Sequence, residues 1–396
     1  MTCEIDASAR IARIEAAEVP GWDGLGLVHA ILDMGFGGAE RLAQDILIAM
    51  KRQGARCSVV CLDGVSGNTE PLTRHGIPIE LIQRRPGVFD GRACLRLVQR
   101  LRDVRCRLLH AHDLTSLSYA VAAGLALGIP VIMTEHSRHY IEARQIRRWE
   151  KRWLCQGVCR LVAVSPQLAR ASVERDHVPP GKVTVIENGV DVERFAGARG
   201  DAFRRELGLS PGEAVVGMVG RLEAIKGPDV LLEAFAALAG RFPGARLIFA
   251  GEGGMAQELH ARSQALGLSG RIHFLGPRSD VADIMAGLDI LVLPSRSEGL
   301  PLALLEGMAS GRAVAATAVG RVPGILRPAG EGETGVLVPP GHARALGRAL
   351  ATLLDDAALR ARLGQAAQRF VAARYDQRAM FRDYEAVYAQ ALAGRS

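Results

Sequence analysis

Short apolar runs rich in Val, Ile and Leu alternate along the whole chain with longer segments whose apolar residues recur at helical spacing. That is the pattern of parallel strands covered on both faces by helices, and it predicts an α/β protein. Strands are predicted at 25–32, 57–62, 107–110, 131–134, 161–164 and 183–186, with a second series at 214–219, 246–250, 271–275, 290–293, 313–316 and 335–338. Between the two series, the stretch 190–212 is poor in apolar periodicity and holds Gly197, Gly200, Gly208 and a Pro211-Gly212 turn, which predicts a linker near 192–208. Two doubly wound domains follow, over 24–195 and 196–374. The segment 375–396 is amphipathic, with Met380, Tyr384, Val387 and Tyr388 at helical spacing, and comes after the second series is complete. It is expected to cross back and cover the first domain.

Composition narrows the class. The chain of 396 residues is 48% hydrophobic and 23% charged, which excludes disorder, collagen and coiled coil as the main state. No stretch approaches the roughly 18–20 uninterrupted apolar residues of a membrane span. The extension over 1–23 carries Glu4, Asp6, Glu15 and Glu18 where a secretory signal would be apolar, so a cytoplasmic protein is expected. The 7 cysteines are an odd number and all lie between Cys3 and Cys159. The pairs Cys57/Cys61 and Cys155/Cys159 lack the further ligands of a zinc site, so buried thiols are expected.

The net charge of +7 falls mostly in the first half. Within 138–153, helical spacing aligns Arg144, Arg148 and Arg152, with Trp149 and Trp153 beside them. This stripe reads either as a peripheral contact with an anionic membrane, at the inner face of the cytoplasmic membrane, or as a solvated helix face whose tryptophans pack inward. Aromatics make only 5% of the chain and no recognition signature appears, so nucleic acid is not an expected partner.

In open α/β sheets ligands bind beyond the carboxyl ends of the strands, which directs attention to the residues there. After the first strand comes Gly35-Phe36-Gly37-Gly38, a turn whose bare backbone N–H groups can approach an anion. His110, His112 and His136 close two further strands, as functional groups or as core histidines. The second series opens with Gly220-Arg221 and Lys226-Gly227, two cations beside a helix start, an arrangement suited to a pyrophosphate. Gly251 and Gly253 close the next strand and, with Ala256, match G-x-G-x-x-A, although the strand after it ends in Leu275-Gly276-Pro277-Arg278 without the ribose-binding acid of a dinucleotide fold. Most specific is Ser295 to Gly311, where Glu298 and Glu306 stand eight residues apart around Pro301, placed for the first helical turn. Glu298 is expected in a loop. Glu306, inside an apolar helix, wants a donor such as a sugar hydroxyl or a salt-bridge partner.

These residues together resemble a family 4 retaining glycosyltransferase of the GT-B fold (glycosyl transferases group 1), with E-x7-E at Glu298/Glu306, the cationic loop at Arg221/Lys226, the glycine loop at Gly37-Gly38, and Glu187-Asn188-Gly189-Val190-Asp191 leading out of the first domain. The resemblance covers nearly the whole chain. It implies two Rossmann-like domains facing across a cleft, and transfer of a hexose from a nucleotide-diphosphate sugar to a glycan or lipid-linked acceptor with retention at the anomeric carbon, as in surface polysaccharide, lipopolysaccharide or glycolipid synthesis. It implies that Arg221 and Lys226 bind the diphosphate, aided by the N–H groups of Gly299 and Leu300. Glu306 would accept from the ribose, Glu298 would face the transferred sugar, and His136 would orient a sugar hydroxyl. Gly37, Gly38, Gly220, Gly251, Gly253 and Arg278 complete the expected donor site. No Asp-x-Asp occurs and the cationic pair can neutralise the leaving group, so neither a metal nor another cofactor is expected.

The chain departs from the family at Gly320-Arg321-Val322-Pro323-Gly324, where a second glycine has become Arg and a carboxylate is absent. Two other classes remain open on sequence: a nicotinamide-dependent oxidoreductase, which leaves Arg221, Lys226 and the two glutamates without a role, and a non-catalytic nucleotide-sugar-binding subunit of a polysaccharide assembly complex.

Overall fold

The computed structural model describes residues 21–137, 146–210 and 212–394. The extension over 1–20 and the basic positions Arg138 and Arg144 lie outside the described residues. The chain divides into two compact units, one comprising Met1–Glu187 with Ala379–Ser396, the other Asn188–Arg378.

The first unit is built on β1 (Gly26–Asp33), β2 (Arg56–Gly64), β3 (Ile79–Leu81), β4 (Cys106–Ala111), β5 (Val131–Glu135), β6 (Arg160–Ala163) and β7 (Val183–Val185). They form one parallel sheet in the order β3-β2-β1-β4-β5-β6-β7. The central strands are apolar and buried along most of their length because helices cover both faces. The short edge strand β3 escapes sequence reading: three residues, one of them Glu80, with Leu81 exposed, carry too little pattern. The helix Leu114–Leu127 starts directly after β4, where Asp113 accepts from the Ser116 N–H in a reciprocal capping box. Asp113 also accepts from the Leu32 N–H, 3.1 Å away, tying β1 to this turn. The helix Gln377–Ala393 places Met380, Tyr384, Val387 and Tyr388 in the core of this first unit.

The second unit carries β8 (Val215–Val219), β9 (Arg246–Ala250), β10 (Ile272–Gly276), β11 (Ile290–Leu293), β12 (Ala313–Thr317) and β13 (Val336–Val338), all parallel, in the order β10-β9-β8-β11-β12-β13. The boundary falls at Glu187/Asn188, ahead of the expected 195/196. The expected linker is instead structured within the second unit. Short helices at Val192–Ala196 and Asp201–Glu206 each bury a phenylalanine, Phe195 and Phe203, and Gly200 packs against the backbone of Gly287 where a side chain would collide. Two isolated aromatic anchors in helices of five or six residues leave no periodicity to detect.

Of the cysteines within the described residues, Cys57, Cys61, Cys106 and Cys155 are buried, and burial pushes each thiol up to about 12. Among the described residues no helix is long and apolar enough to cross a membrane.

Candidate functional site

In the second unit, the loop after β8 is bent by two glycines in the left-handed half of conformational space, Gly220 (φ 139°) and Gly227 (φ 70°). A Cβ on Gly227 would strike the Pro294 carbonyl, so only glycine lets this loop lie against the one after β11. Arg296 stitches the two together: its N–H donates to the Ile225 carbonyl at 2.8 Å, and its guanidinium pairs with both oxygens of Asp229 at 2.9 and 2.6 Å. The result brings Lys226 onto Glu298, with Nζ 2.7 and 2.8 Å from the two carboxylate oxygens. Ser295 Oγ donates to Glu298 Oε1 at 2.6 Å, and the Ser295 carbonyl accepts from Thr317 Oγ1 at 2.6 Å. Glu298 is thus held by a cation and a hydroxyl, with its side chain only 8% exposed.

Pro301 takes an extended conformation (φ −72°, ψ 124°) as the N-cap of the helix Leu302–Ala309, one position outside the first turn expected for it. Among the described residues the N–H groups of Gly299 and Leu300 donate to no protein acceptor. They join the free N–H groups that any helix N-terminus presents, a setting that favours an anion. The carbonyls of these two residues are occupied: Leu300 accepts from Asn188 Nδ2 at 2.8 Å and Gly299 from the Arg321 N–H at 3.0 Å. The departing segment at 320–324 therefore packs on the Glu298 loop, with Gly320 (φ 52°) against the Glu298 and Gly299 carbonyls. Glu306 is half-buried in the second turn of its helix.

Arg221 is exposed and makes no ion pair or hydrogen bond among the described residues. Gly251 and Gly253 (φ 146° and 159°) touch the backbone of Gly220 and Leu222, so close backbone packing accounts for both glycines and fixes the Arg221 loop from behind. Arg278, expected at the donor site, is paired with acids. Its guanidinium is taken up by Glu206 at 2.7 and 2.9 Å and by Asp280 at 2.7 and 2.6 Å, and these carboxylates raise its pKa further. Its guanidinium is thus already paired with carboxylates, where that of Arg221 is not.

In the first unit, Gly37 caps the helix Gly38–Arg52 just beyond β1, and a side chain there would collide with the Glu40 carboxylate. His136 follows β5, half-buried, its ring stacked on His112 at 5.4 Å between centroids and its Nε2 3.2 Å from His112 Nδ1. Burial pushes His136 down to about 4, so the ring is neutral near pH 7. Behind it, His112 Nε2 lies 2.9 Å from Nδ1 of His29, which pairs in register with His110 across β1 and β4. Burial, reinforced by neighbouring histidines, lowers His29, His110 and His112 well below the usual value. Nitrogens of His29, His110 and His112 come within 4.8 Å of one another, as three metal ligands would, but all six ring nitrogens are already engaged by hydroxyls, by one another or by His136.

Sequence reading gave no site role to His29 or its hydroxyl partner Tyr388, to Thr134 and Tyr384, which extend the bonding from His110, or to Ser295. The available signal was a histidine inside the otherwise apolar β1 and the period-two His110/His112 pair, which share one side of β4 and its extension.

The helix Ile146–Leu154 has two unlike sides. Lys151 is fully buried, bonded to Glu135 (2.7 Å), Asp176 (2.8 Å) and Ser172 (2.9 Å). Trp149 and Trp153 are 60% and 72% exposed, which overturns the inward packing considered for them.

The model for glycosyl transferases group 1 matches residues 200–370 and that for glycosyltransferase family 4 matches 36–194. A D-inositol 3-phosphate glycosyltransferase from Thermobispora bispora is 31% identical over 348 residues, 83% of this chain and 79% of its own. One from Corynebacterium aurimucosum is 29% identical over 349 residues, 83% and 80% of the two chains. Among solved structures, Anabaena HepE in complex with UDP and glucose superposes with a TM-score of 0.77 at 23% identity, covering 90% of this chain and 97% of that one. WaaG, described as a glycosyltransferase involved in lipopolysaccharide biosynthesis, gives 0.72 at 16% identity, with 89% and 98% covered. The two doubly wound units are thus those of the GT-B fold.

Proposed function

Since the chain belongs to the glycosyltransferases of group 1, family 4, we propose that it moves a hexose from a nucleotide-diphosphate sugar to a glycan or lipid-linked acceptor with retention at the anomeric carbon. One observation carries the reading: the Lys226–Glu298 pair stands directly beside the unpaired N–H groups of Gly299 and Leu300 at a helix N-terminus. A diphosphate would be met there by N–H groups and by the Lys226 ammonium, with the exposed Arg221 as a second cation on a loop of the same sheet edge. Fixed donors of this kind stabilise charge developing on a leaving group, and each typically contributes about 10²–10³ in rate. Once a phosphate draws off Lys226, the Glu298 carboxylate is released toward the sugar, while Glu306 accepts from ribose hydroxyls; orientation of a sugar hydroxyl is the role proposed for His136. With cations and N–H groups assigned to the diphosphate, the reaction needs no metal or further cofactor in this reading.

The exposed tryptophans beside Arg152 support the further proposal of peripheral contact with an anionic membrane, at the inner face of the cytoplasmic membrane. The test of the central proposal is a screen of nucleotide sugars with mass detection of slow donor hydrolysis, which needs no acceptor. Glycans, lipid-linked sugars and the D-inositol 3-phosphate named for the relatives then enter as acceptor arms. Protection by NAD with no effect of UDP or GDP sugars overturns the proposal.

A further inference from the structure

Seven side chains of the first unit form one unbranched hydrogen-bond chain that ends at His136. Tyr384 Oη meets Thr134 Oγ1 at 3.1 Å, and Thr134 Oγ1 meets His110 Nε2 at 2.8 Å. His110 Nδ1 meets Tyr388 Oη at 2.7 Å, Tyr388 Oη meets His29 Nε2 at 3.2 Å, His29 Nδ1 meets His112 Nε2 at 2.9 Å, and His112 Nδ1 meets His136 Nε2 at 3.2 Å. All of these residues are buried except His136, which is half-buried. With the imidazoles neutral, each of the seven groups carries one mobile proton, and six bonds join them.

That count fixes a direction. At the closed end, the Tyr384 hydroxyl has Thr134 as its single partner among the described residues, so its proton is satisfied only by donation to Thr134. A buried O–H or N–H left without an acceptor is the costlier fault, so each next group must in turn donate onward. Thr134 donates to His110 Nε2, His110 Nδ1–H to Tyr388, Tyr388 to His29 Nε2, His29 Nδ1–H to His112 Nε2, and His112 Nδ1–H to His136 Nε2. We infer that this chain, anchored by Tyr384 and Tyr388 of the C-terminal helix, holds His136 as the neutral Nδ1–H tautomer and so presents it to substrate as a hydrogen-bond donor.

The inference deepens the reading of His136 given above and rests on it for the identity of the substrate. A ring whose Nε2 is occupied by His112 and whose Nδ1 carries the proton donates to an electron-rich oxygen, a sugar hydroxyl or a phosphate. It has no free lone pair with which to act as a base unless every bond of the chain reverses. Tyr384, Tyr388, His29, His110 and His112 are then positioning residues: none meets the substrate, and together they set the polarity of the one that does.

Tautomers are read directly from two-bond nitrogen–proton spectra of the full chain labelled with ¹⁵N-histidine, near neutral pH and without nucleotide. His136 is assigned by loss of its signal in His136→Gln. The expected result is that His29, His110, His112 and His136 are all Nδ1–H. His136 found as Nε2–H, or as imidazolium, overturns the inference. His112→Asp puts a carboxylate oxygen where Nδ1 stood, which should turn His136 to Nε2–H; a folded variant with the tautomer unchanged also overturns it. Should that variant fail to fold, the wild-type spectrum decides alone. Because nucleotide is absent, the two readings fail separately: correct tautomers with no nucleotide-sugar binding sink the proposed function, and wrong tautomers with normal binding sink only this inference.

Discussion

The Lys226 ammonium lies 2.7 and 2.8 Å from the two oxygens of Glu298, so the cation expected at the diphosphate and the acid expected at the sugar neutralise each other before any substrate arrives. In the proposed reading, a donor phosphate competes with Glu298 for the Lys226 ammonium. Glu298→Gln removes the competing charge while keeping the shape. Its donor KM should stay level or fall, while kcat drops by about 10²–10³, the usual consequence of losing one transition-state contact. Steady-state kinetics of donor hydrolysis check this; equal kcat in wild type and variant would remove Glu298 from the chemistry.

Arg221 and Arg278 separate a waiting cation from a spent one. Arg221 is exposed and unpaired among the described residues, so Arg221→Ala should leave the melting temperature unchanged, within about 0.5 kcal/mol of stability, yet raise donor KM and lower kcat. Arg278 is held by Glu206 and Asp280, and Arg278→Ala should do the reverse, lowering thermal stability with little change in donor KM. Parallel melting curves and donor titrations of the two variants decide the matter.

The same contrast shows where sequence reading reaches and where it stops. Every strand with at least four consecutive residues was legible, because parallel strands buried on both faces are nearly continuous apolar runs. The edge strand Ile79–Leu81 and the helices around Phe195 and Phe203 were not, for want of any period. Lys226 and Glu298 could be named from spacing. Their direct contact could not, since it depends on Gly227 lying against Pro294 and on Arg296 bridging to Asp229. The pairing of Arg278 was half legible: Asp280 lies two residues on, whereas Glu206 lies far away in sequence. Tyr384 and Tyr388 read correctly as apolar-face residues of a helix, but their hydroxyl partners sit on β1, β4 and β5, and no local pattern reports a hydrogen bond across that separation.

The buried histidines should make the fold less stable in acid. An unfolded histidine binds its proton near pH 6.5, whereas His136 is pushed down to about 4 and His29, His110 and His112 are lowered well below the usual value by burial. The unfolded chain therefore holds more protons than the folded one below about pH 6.5. Stability is complete above that pH and falls as pH drops toward 4, by up to about 1.4 kcal/mol per pH unit for each histidine still neutral in the fold. Urea unfolding between pH 7.5 and 5 should show this slope. His29→Gln should make it shallower, and a flat profile would mean that these rings titrate normally.

Lys151 offers a test that reads stability directly. Its ammonium is wholly buried between Glu135 and Asp176, and replacing it by Met takes the Lys151 charge away from two buried carboxylates. Breaking a buried pair from one side typically costs about 3–5 kcal/mol. Lys151→Met should shift the urea midpoint down accordingly, and a shift below about 1 kcal/mol would show that water reaches the cluster.

The opposite side of that helix carries the membrane prediction. Trp149 and Trp153 are exposed and Arg152 lies 5.6 Å above the Trp149 ring, so indoles and a cation share one surface. Indoles favour the headgroup boundary of a bilayer and the cation favours anionic lipid, with an electrostatic part of about 1 kcal/mol per basic residue that salt screens. Wild-type protein should float with vesicles containing phosphatidylserine or phosphatidylglycerol, less at high salt, and stay behind with purely zwitterionic ones. Arg152→Ala should weaken flotation in low salt only, because it removes only the screened part. Trp149→Ser with Trp153→Ser should weaken it at every salt concentration, because burial of the rings does not depend on charge. Failure of the wild type to float with any vesicle would leave the two tryptophans as solvent-exposed rings and remove the membrane from this reading.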